Sequence, residues 1–410
     1  MLGLSVLKKE EKYKWIFWSS LLNGIGSRFA QVGSLALLYV LTESAMALGF
    51  LLALRVLPTI FFAPISGYLA DRFHKAKLLF WTDVWRIPFA LMPVGAAVAQ
   101  EVSLLYISTF LIATGEAIYR PVRFASIPDI VQKKNLTKVN GLEQTVVGMT
   151  LVVGSLLGGM TAFLIDVTML FWLHALFLLL AALWVIPLTK LESTPLEKKD
   201  VNSSDKSVTL LIQVALLRVF LLVMFVMPLA NGVDNVIFNL IALDVFGKGD
   251  LGVGIIYAAL GLGFVLSSGL TKWIRGRYLA IGVGMIFFEG IGHLFLSQSH
   301  FFMQAVFLAI LITFVGGISN ICFDTVLMRI LPPAKRGLLF GTLTMIQNSS
   351  MGLAMIGAGF LTEWFTPLQL AFSVGIAYMC LALLFFVLFK RVHLRKSLVK
   401  LKTLSYGFET

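Results

Sequence analysis

Several ionisable residues lie inside long apolar stretches of this chain, and five of them are candidate site residues, namely Arg28, Arg55, Glu116, Asp234 and Asp324. A charged side chain at the centre of a bilayer costs about 2.5–3.5 kcal/mol on insertion scales, so such residues usually pair, line a water-filled cavity or bind a ligand. Polar neighbours extend two of these positions, since Gln31 lies one turn from Arg28 and Asn235 adjoins Asp234. The sequence therefore predicts a buried polar site that binds substrates or ions.

Asp234 is the strongest candidate for carrying a proton or another cation. It lies in PLANGVDNVIFN (228–239), where Pro228 and Gly232 should weaken a helix. Burial disfavours the ionised form of a carboxyl group, so this side chain could exchange a proton for a substrate near neutral pH.

Two other pairs of ionisable residues have helical spacing. Glu116 precedes Arg120 by four residues, so the two side chains can share a helix face and pair. This pair is either a structural link or part of the binding site, and the sequence leaves both interpretations open. Glu289 and His293 likewise share one face of a later apolar stretch.

The composition indicates the elements that must position these residues. Of the 410 residues, 58% are hydrophobic and 13% are charged, with a mean hydropathy of +0.90. Soluble domains carry about 25% charged residues, so the chain is predicted to be an all-α membrane protein. Twelve apolar runs are long enough to cross a bilayer: 15–41, 47–70, 77–99, 102–122, 141–165, 168–188, 215–243, 250–272, 278–298, 301–328, 337–362 and 367–389.

The positive charges predict the orientation. If all twelve runs cross, most lysines and arginines lie on one side, which is the cytoplasmic side by the positive-inside rule. We therefore expect a multi-pass protein of the plasma membrane with both termini in the cytoplasm. The net charge of +12 is then a topology signal at the lipid bilayer, and nucleic acid is not an expected partner.

The chain divides into two similar halves. The polar stretch KLESTPLEKKDVNSSDKS (190–207) separates two sets of six runs, and three short matches relate the sets at offsets of just over 200 residues. We predict two pseudo-symmetric six-helix bundles, with these boundaries: cytoplasmic segment 1–14, first bundle 15–188, flexible linker 189–214, second bundle 215–389 and basic tail 390–410.

GYLADRFHKAK (67–77) is a strongly charged turn between the second and third runs. Asp71 lies near the carboxyl end of a predicted helix, where the helix dipole disfavours an anion. It therefore needs a partner, for which the candidates are Arg72, Arg120, Arg123 or the amino end of another helix. The stretch is either an ordinary turn or a latch that breaks and forms as the two halves move.

This stretch resembles the loop G-x-x-x-D-R-x-x-R/K-R/K between helices 2 and 3 of the major facilitator superfamily. Gly67, Asp71, Arg72 and Lys75 match, whereas Ala76 replaces one basic residue and Lys77 supplies the next cation. The corresponding stretch of the second half, GLTKWIRGR (269–277), contains no acidic residue.

Three further stretches resemble export branches of that superfamily. GSLLGG resembles the antiporter signature G-P-x-x-G-G, with Gly154, Gly158 and Gly159 in place and Ser155 instead of proline. LPPAKRGLLFG (331–341) and TDVWR (82–86) resemble bacterial drug and macrolide efflux members. In membrane helices, glycine-rich faces of this kind serve plain helix packing more often than a transport function.

The resemblance implies a fold and a mechanism. Helices 1, 4, 7 and 10 should line a central cavity and helices 3, 6, 9 and 12 should stand outside. This ranks Arg28, Glu116, Asp234 and Asp324 above Glu289 and His293. The expected function is proton-coupled export of hydrophobic or amphipathic small molecules by a monomer without metal or cofactor.

Two alternatives use the same fold, a solute importer or a lipid or glycolipid flippase in which Arg28 and Arg55 bind an anionic headgroup. An enzyme is not expected, because the five histidines form no H-E-x-x-H motif. Direct ATP coupling is not expected either, because no G-x-x-x-x-G-K-[ST] motif occurs.

Overall fold

The computed structural model describes residues 5–43, 45–190 and 204–406. Within these ranges the chain is helical and contains no β-strand. The helices follow the apolar runs because a backbone in hydrocarbon must satisfy its polar groups internally.

Twelve helices have 19 residues or more, and we number these long helices in chain order. They are α1 (Glu11–Thr42), α2 (Ala45–Arg72), α3 (Lys75–Ala99), α4 (Val102–Ile130), α5 (Leu136–Leu164), α6 (Val167–Thr189), α7 (Ala215–Leu240), α8 (Gly249–Ser268), α9 (Tyr278–Leu296), α10 (Phe302–Ile330), α11 (Arg336–Leu361) and α12 (Pro367–Arg391).

Ten of these helices are long and apolar enough to cross a membrane, judged by length and composition. The other two are α3 and α11. The helix α3 carries Lys75, Lys77, Asp83 and Arg86 in its first half, which lowers its hydropathy. Membrane crossing by all twelve is therefore not established by hydropathy alone.

The helix packing repeats with a shift of six helices. The helix α1 packs on α5 and α6, just as α7 packs on α11 and α12. The helix α3 packs on α4 and α6, α9 packs on α10 and α12, and the pairs α2–α4 and α8–α10 also correspond. We refer to α1–α6 and α7–α12 as the first and second halves.

Two helix pairs make the main contacts between the halves, α2 with α11 and α5 with α8. Both contacts depend on glycine. A side chain added at Gly67 would meet the backbone of Gly337, and one added at Gly261 would lie 2.6 Å from the carbonyl oxygen of Gly148. The halves therefore approach each other backbone to backbone, as small residues permit in membrane helices.

Among the described residues, three shorter α-helices accompany the long ones, Ser5–Lys9, Ser204–Gln213 and Leu394–Tyr406. The second falls within the stretch 189–214 that was predicted to be a flexible linker, so part of that stretch is helical. Residues 191–203 of the linker prediction lie outside the described residues. The third helix occupies most of the predicted basic tail.

Candidate functional site

A cavity of about 390 Å³ lies between α4 and α5 of the first half and α7, α8, α10 and α11 of the second. Three of the predicted site residues line it, Asp234, Asn235 and Asp324, and so does Arg120, which was expected in the latch. Its apolar wall includes Phe124, Met224, Met227, Phe238, Tyr257, Phe264, Phe323 and Phe340. This volume and mixture of apolar wall and few polar groups suit a small organic ligand.

Asp234 is held by residues from two other helices. One carboxylate oxygen lies 3.0 Å from Nε2 of His293 on α9, and the other accepts a 2.7 Å hydrogen bond from the hydroxyl of Tyr378 on α12. Asp234 is 8% exposed, whereas His293 and Tyr378 are fully buried. The second half therefore contains a polar cluster that crosses from the cavity to its outer helices.

The contacts of His293 fix how many protons the pair holds. Its Nδ1 lies 2.8 Å from the backbone carbonyl oxygen of Glu289, which can only accept a hydrogen bond, so Nδ1 must carry a hydrogen. The gap between Nε2 and Asp234 then needs one proton, carried by either partner. Without this proton, the lone pairs of Nε2 of His293 and of the Asp234 carboxylate oxygen would face each other.

The expected ranking of the helices differs from this geometry. The helix α9 was expected to stand outside the cavity, and His293 and Glu289 were ranked low for that reason. One face of α9 nevertheless points inward, so Glu289 lines the cavity and His293 contacts Asp234. The i, i+4 spacing of Glu289 and His293 was the sequence feature that could have indicated their shared inward face.

A second, smaller cavity of about 20 Å³ lies within the first half, and Gln31, Arg55 and Glu116 line it. Arg55 and Glu116 form an ion pair at 3.8 Å. Glu116 therefore pairs across helices α2 and α4, and the expected ion pair with Arg120 on its own helix is replaced by this one. The structure thus divides the predicted polar site between two cavities.

Arg28 connects the halves near the middle of α1. Its guanidinium donates hydrogen bonds to Ser155 (3.1 Å) and Gln31 (2.9 Å) and lies 4.7 Å from the ring centre of Tyr257 on α8. Gly154 makes room for it, since a side chain there would lie 2.7 Å from Cβ of Arg28. The glycine-rich stretch of α5 thus packs against the side chain of a half-buried arginine.

The other two glycines of that stretch differ from Gly154. A side chain at Gly158 would lie 3.3 Å from Cδ1 of Phe29, a tight contact, whereas one at Gly159 would meet nothing within 4 Å. Close packing therefore explains Gly154 and Gly158, and the structure offers no packing role for Gly159.

Asp71 lies at the interface between the halves. Its two carboxylate oxygens accept hydrogen bonds from the backbone N–H groups of Gly337 (2.7 Å) and Leu338 (2.9 Å), in the first turn of α11. Among the expected partners, the structure selects the amino end of another helix, where exposed N–H groups and the helix dipole favour an anion. We call the end of the molecule that contains Asp71 the basic end.

Asp129 completes this contact, and sequence reasoning missed it. Its carboxylate pairs with Lys75 at the start of α3 and with Arg336 at the start of α11. Arg72 instead stacks on Tyr68, 4.2 Å from the ring centre, and Lys77 is exposed. The contact between halves thus involves Gly67, Asp71 and Lys75 of the predicted latch but runs through α11.

Arg123 has a different partner from the expected Asp71. It forms a 3.1 Å ion pair with Glu143 on α5, and Glu143 also accepts a 2.7 Å hydrogen bond from Tyr13 on α1. This network ties three helices of the first half together beneath the interface. Glu143 belongs to EQTVVG (143–148), one of the segments that match between the two halves, but nothing in the sequence marked it as a site residue.

Other polar contacts join the halves at the basic end. Asn140 donates a 3.0 Å hydrogen bond to Thr325, and Arg329 donates one of 3.2 Å to the carbonyl oxygen of Lys133. Together with Asp71 and Asp129, these contacts close the basic end of the cavity.

In the part of the chain that the structure describes, no group of three or more histidine, cysteine, aspartate or glutamate residues is placed to hold a metal ion.

Comparisons with known proteins agree on one family. Residues 16–355 match the profile of the Major Facilitator Superfamily. Macrolide efflux protein A of Streptococcus pyogenes is 25% identical over 345 residues, covering 78% of this chain and 83% of that protein. The human organic anion transporter MFSD10 has a TM-score of 0.74 at 16% identity, covering 92% and 99% of the two chains. A bacterial homologue of the iron transporter ferroportin, solved in an outward-facing state, has a TM-score of 0.68 at 18% identity, covering 93% and 100%.

Proposed function

This chain belongs to the Major Facilitator Superfamily, and on that premise we propose that it exports hydrophobic or amphipathic small molecules in exchange for protons. The observation that carries the proposal is the cavity between the halves, which has an apolar wall and contains the buried Asp234–His293 pair. The 25% identity to a macrolide efflux protein supports an outward direction of transport.

The proposed mechanism is alternating access by a monomer with twelve membrane-crossing helices in two six-helix bundles. The basic end lies in the cytoplasm of a bacterial cell, in keeping with the positive-inside rule. In this arrangement the contacts of Asp71 and Asp129 close the cytoplasmic side of the cavity. Breaking these contacts and closing the opposite end would expose the cavity to the cytoplasm.

Proton coupling follows from the single proton that Asp234 and His293 share. With the cavity open to the outside, the pair binds this proton. With the cavity open to the cytoplasm, the arriving substrate favours its release, and the two moves exchange one proton for one substrate. Asp234 carries the exchange because it is the member of the pair that lines the cavity.

The flippase alternative needs a free basic pocket for an anionic headgroup. Arg55 is paired with Glu116, and Arg28 is bound by Ser155, Gln31 and the Tyr257 ring. Both residues proposed for that pocket are therefore already engaged. This favours export of small molecules over lipid transport.

The test is transport by purified protein in liposomes with an imposed proton gradient, across a panel of lipophilic drugs. We expect uphill accumulation of at least one compound, and we expect Asp234→Asn to abolish it. Substrate exchange at equal pH should survive in Asp234→Asn, because exchange requires the cavity but no net proton movement. Wild-type protein that moves no compound, or an Asp234→Asn variant with full uphill transport, would refute the proposal.

A further inference from the structure

The charges that line the central cavity are mostly negative. Three carboxyl groups face it, from Asp234, Glu289 and Asp324, against one guanidinium, from Arg120. Asp324 and Arg120 lie toward the basic end with the Arg123–Glu143 pair, whereas Glu289 lies beside Asp234 and His293. The cavity therefore has an acidic region around Glu289.

Glu289 is the member of that region without a protein partner. It is 8% exposed, and no hydrogen bond or ion pair shown among the described residues involves its carboxylate. His293 does not neutralise it, because one ring nitrogen bonds the backbone of Glu289 and the other faces Asp234. One imidazole offers at most one positive charge to two carboxylates, so Glu289 must be neutralised by a proton or by a cation that enters the cavity.

The carboxylate of Glu289 lies at the wall of the cavity, next to Gly316 on α10. A side chain at position 316 would lie 2.8 Å from Oε1 of Glu289, so any residue larger than glycine would press on the carboxylate. A buried carboxylate without a protein partner is costly in its charged form, and a cation that enters from the cavity would stabilise that form.

The rest of the cavity fits the body of such a cation. Phe238, Phe264 and Phe323 line it together with Met224 and Met227. Aromatic faces attract organic cations, and methionines adapt to different shapes.

We propose that the transported molecule is an amphipathic organic cation, whose positive charge binds the carboxylate of Glu289 while its apolar body packs on the aromatic wall. The proposal rests on the proposed export function and names its substrate class. An anionic substrate would meet three carboxylates and a single arginine, and a neutral one would leave Glu289 unpaired.

The test compares tetraphenylphosphonium and tetraphenylborate, which have nearly the same shape and opposite charge. Equilibrium binding to the purified wild-type protein, measured by calorimetry, should be tighter for the cation. Glu289→Gln should weaken cation binding by about tenfold or more, since it removes one member of a buried charge pair. Glu363→Gln, in an exposed turn, serves as the matched control and should bind as wild type.

A second variant keeps the test decisive if Glu289→Gln fails to fold. Gly316→Ala retains the carboxylate but presses on it, so it should also weaken cation binding. Preference of the wild type for the borate, equal binding of both ions, or wild-type cation binding by both variants would overturn the proposal. Because binding is measured without a gradient, cation binding without transport would refute export and leave the Glu289 site intact.

Discussion

Asp71 shows how one side chain can hold the two halves together. A carboxylate that accepts two successive backbone N–H groups at a helix start matches both the unpaired donors and the positive end of the dipole. The same charge lies at the carboxyl end of its own helix, where it is disfavoured. The residue is therefore stabilised by the partner half and destabilised by its own, as expected of a contact that forms and breaks during transport.

We predict that Asp71→Asn opens the basic end. An amide offers one acceptor oxygen and points its NH₂ group at a backbone donor, which loses about 1.5 kcal/mol or more. This loss shifts the population of the closed state by about tenfold. Spin labels at Phe73→Cys and Ala334→Cys, both exposed positions, should report longer distances in pulsed EPR measurements.

The control for this prediction is Arg72→Gln. It removes the neighbouring charge, which stacks on Tyr68 and makes no contact with α11 among the contacts shown. The two variants should differ clearly in their distance distributions. An Asp71→Asn distribution that overlays on the wild type would show that the stretch is an ordinary turn.

The partners of buried charges were the least predictable feature at this scale. Sequence reasoning could identify Asp71 as needing a partner and could include a helix start among the candidates. It could not select α11, because that choice depends on a contact between two residues that lie more than 260 positions apart in the sequence. Asp129 and Glu143 were missed for the same reason, since their cationic partners come from other helices.

At the scale of helices, the bounds were largely predictable because a single physical rule governs them. An apolar run continues as a helix until it leaves the hydrocarbon. The main error is α4, whose predicted run ended at 122 although the helix extends to Ile130. The charges of Arg120 and Arg123 suggested that the apolar run ends near residue 122. In the structure, the helix continues past Arg123, whose charge is paired with that of Glu143 on α5.

The packing of α1 on α5 leads to a second prediction, for the glycine-rich stretch. Gly154→Ala would place a methyl group 2.7 Å from Cβ and 2.9 Å from Cγ of Arg28, at the root of the side chain where it yields least. Forcing these atoms apart costs about 1–3 kcal/mol. We expect a lower apparent melting temperature in detergent and reduced transport.

Gly159→Ala is the matched control on the same helix. No atom lies within 4 Å of its added methyl group, and alanine favours helices over glycine. This variant should melt at or slightly above the temperature of the wild type. Equal destabilisation by the two substitutions would contradict a specific packing role of Gly154 against Arg28. It would indicate instead that this stretch of α5 needs small residues in general.

At the scale of the molecule, the packing of the halves supports a duplicated transporter more strongly than hydropathy does. The helices α3 and α11 fall short of the criteria for a membrane span, yet they occupy defined positions in the repeat. The helix α11 packs on α2 and α7, and α3 packs on α4 and α6. Removing either helix from the bilayer would leave these neighbours exposed on one face, so we predict that both helices cross.

This argument predicts the side on which four exposed positions lie. Lys77 and Glu101 flank α3, and Ala334 and Glu363 flank α11. Single cysteines at these positions, in a Cys380→Ser background that removes the exposed native thiol, can be labelled with a membrane-impermeant maleimide. Cysteines at 77 and 334 should react in inverted vesicles, and those at 101 and 363 should react in intact cells. If both flanks of α3 or of α11 react from one side, that helix does not cross, the positions of all later loops are reversed, and the two halves are not equivalent six-helix bundles.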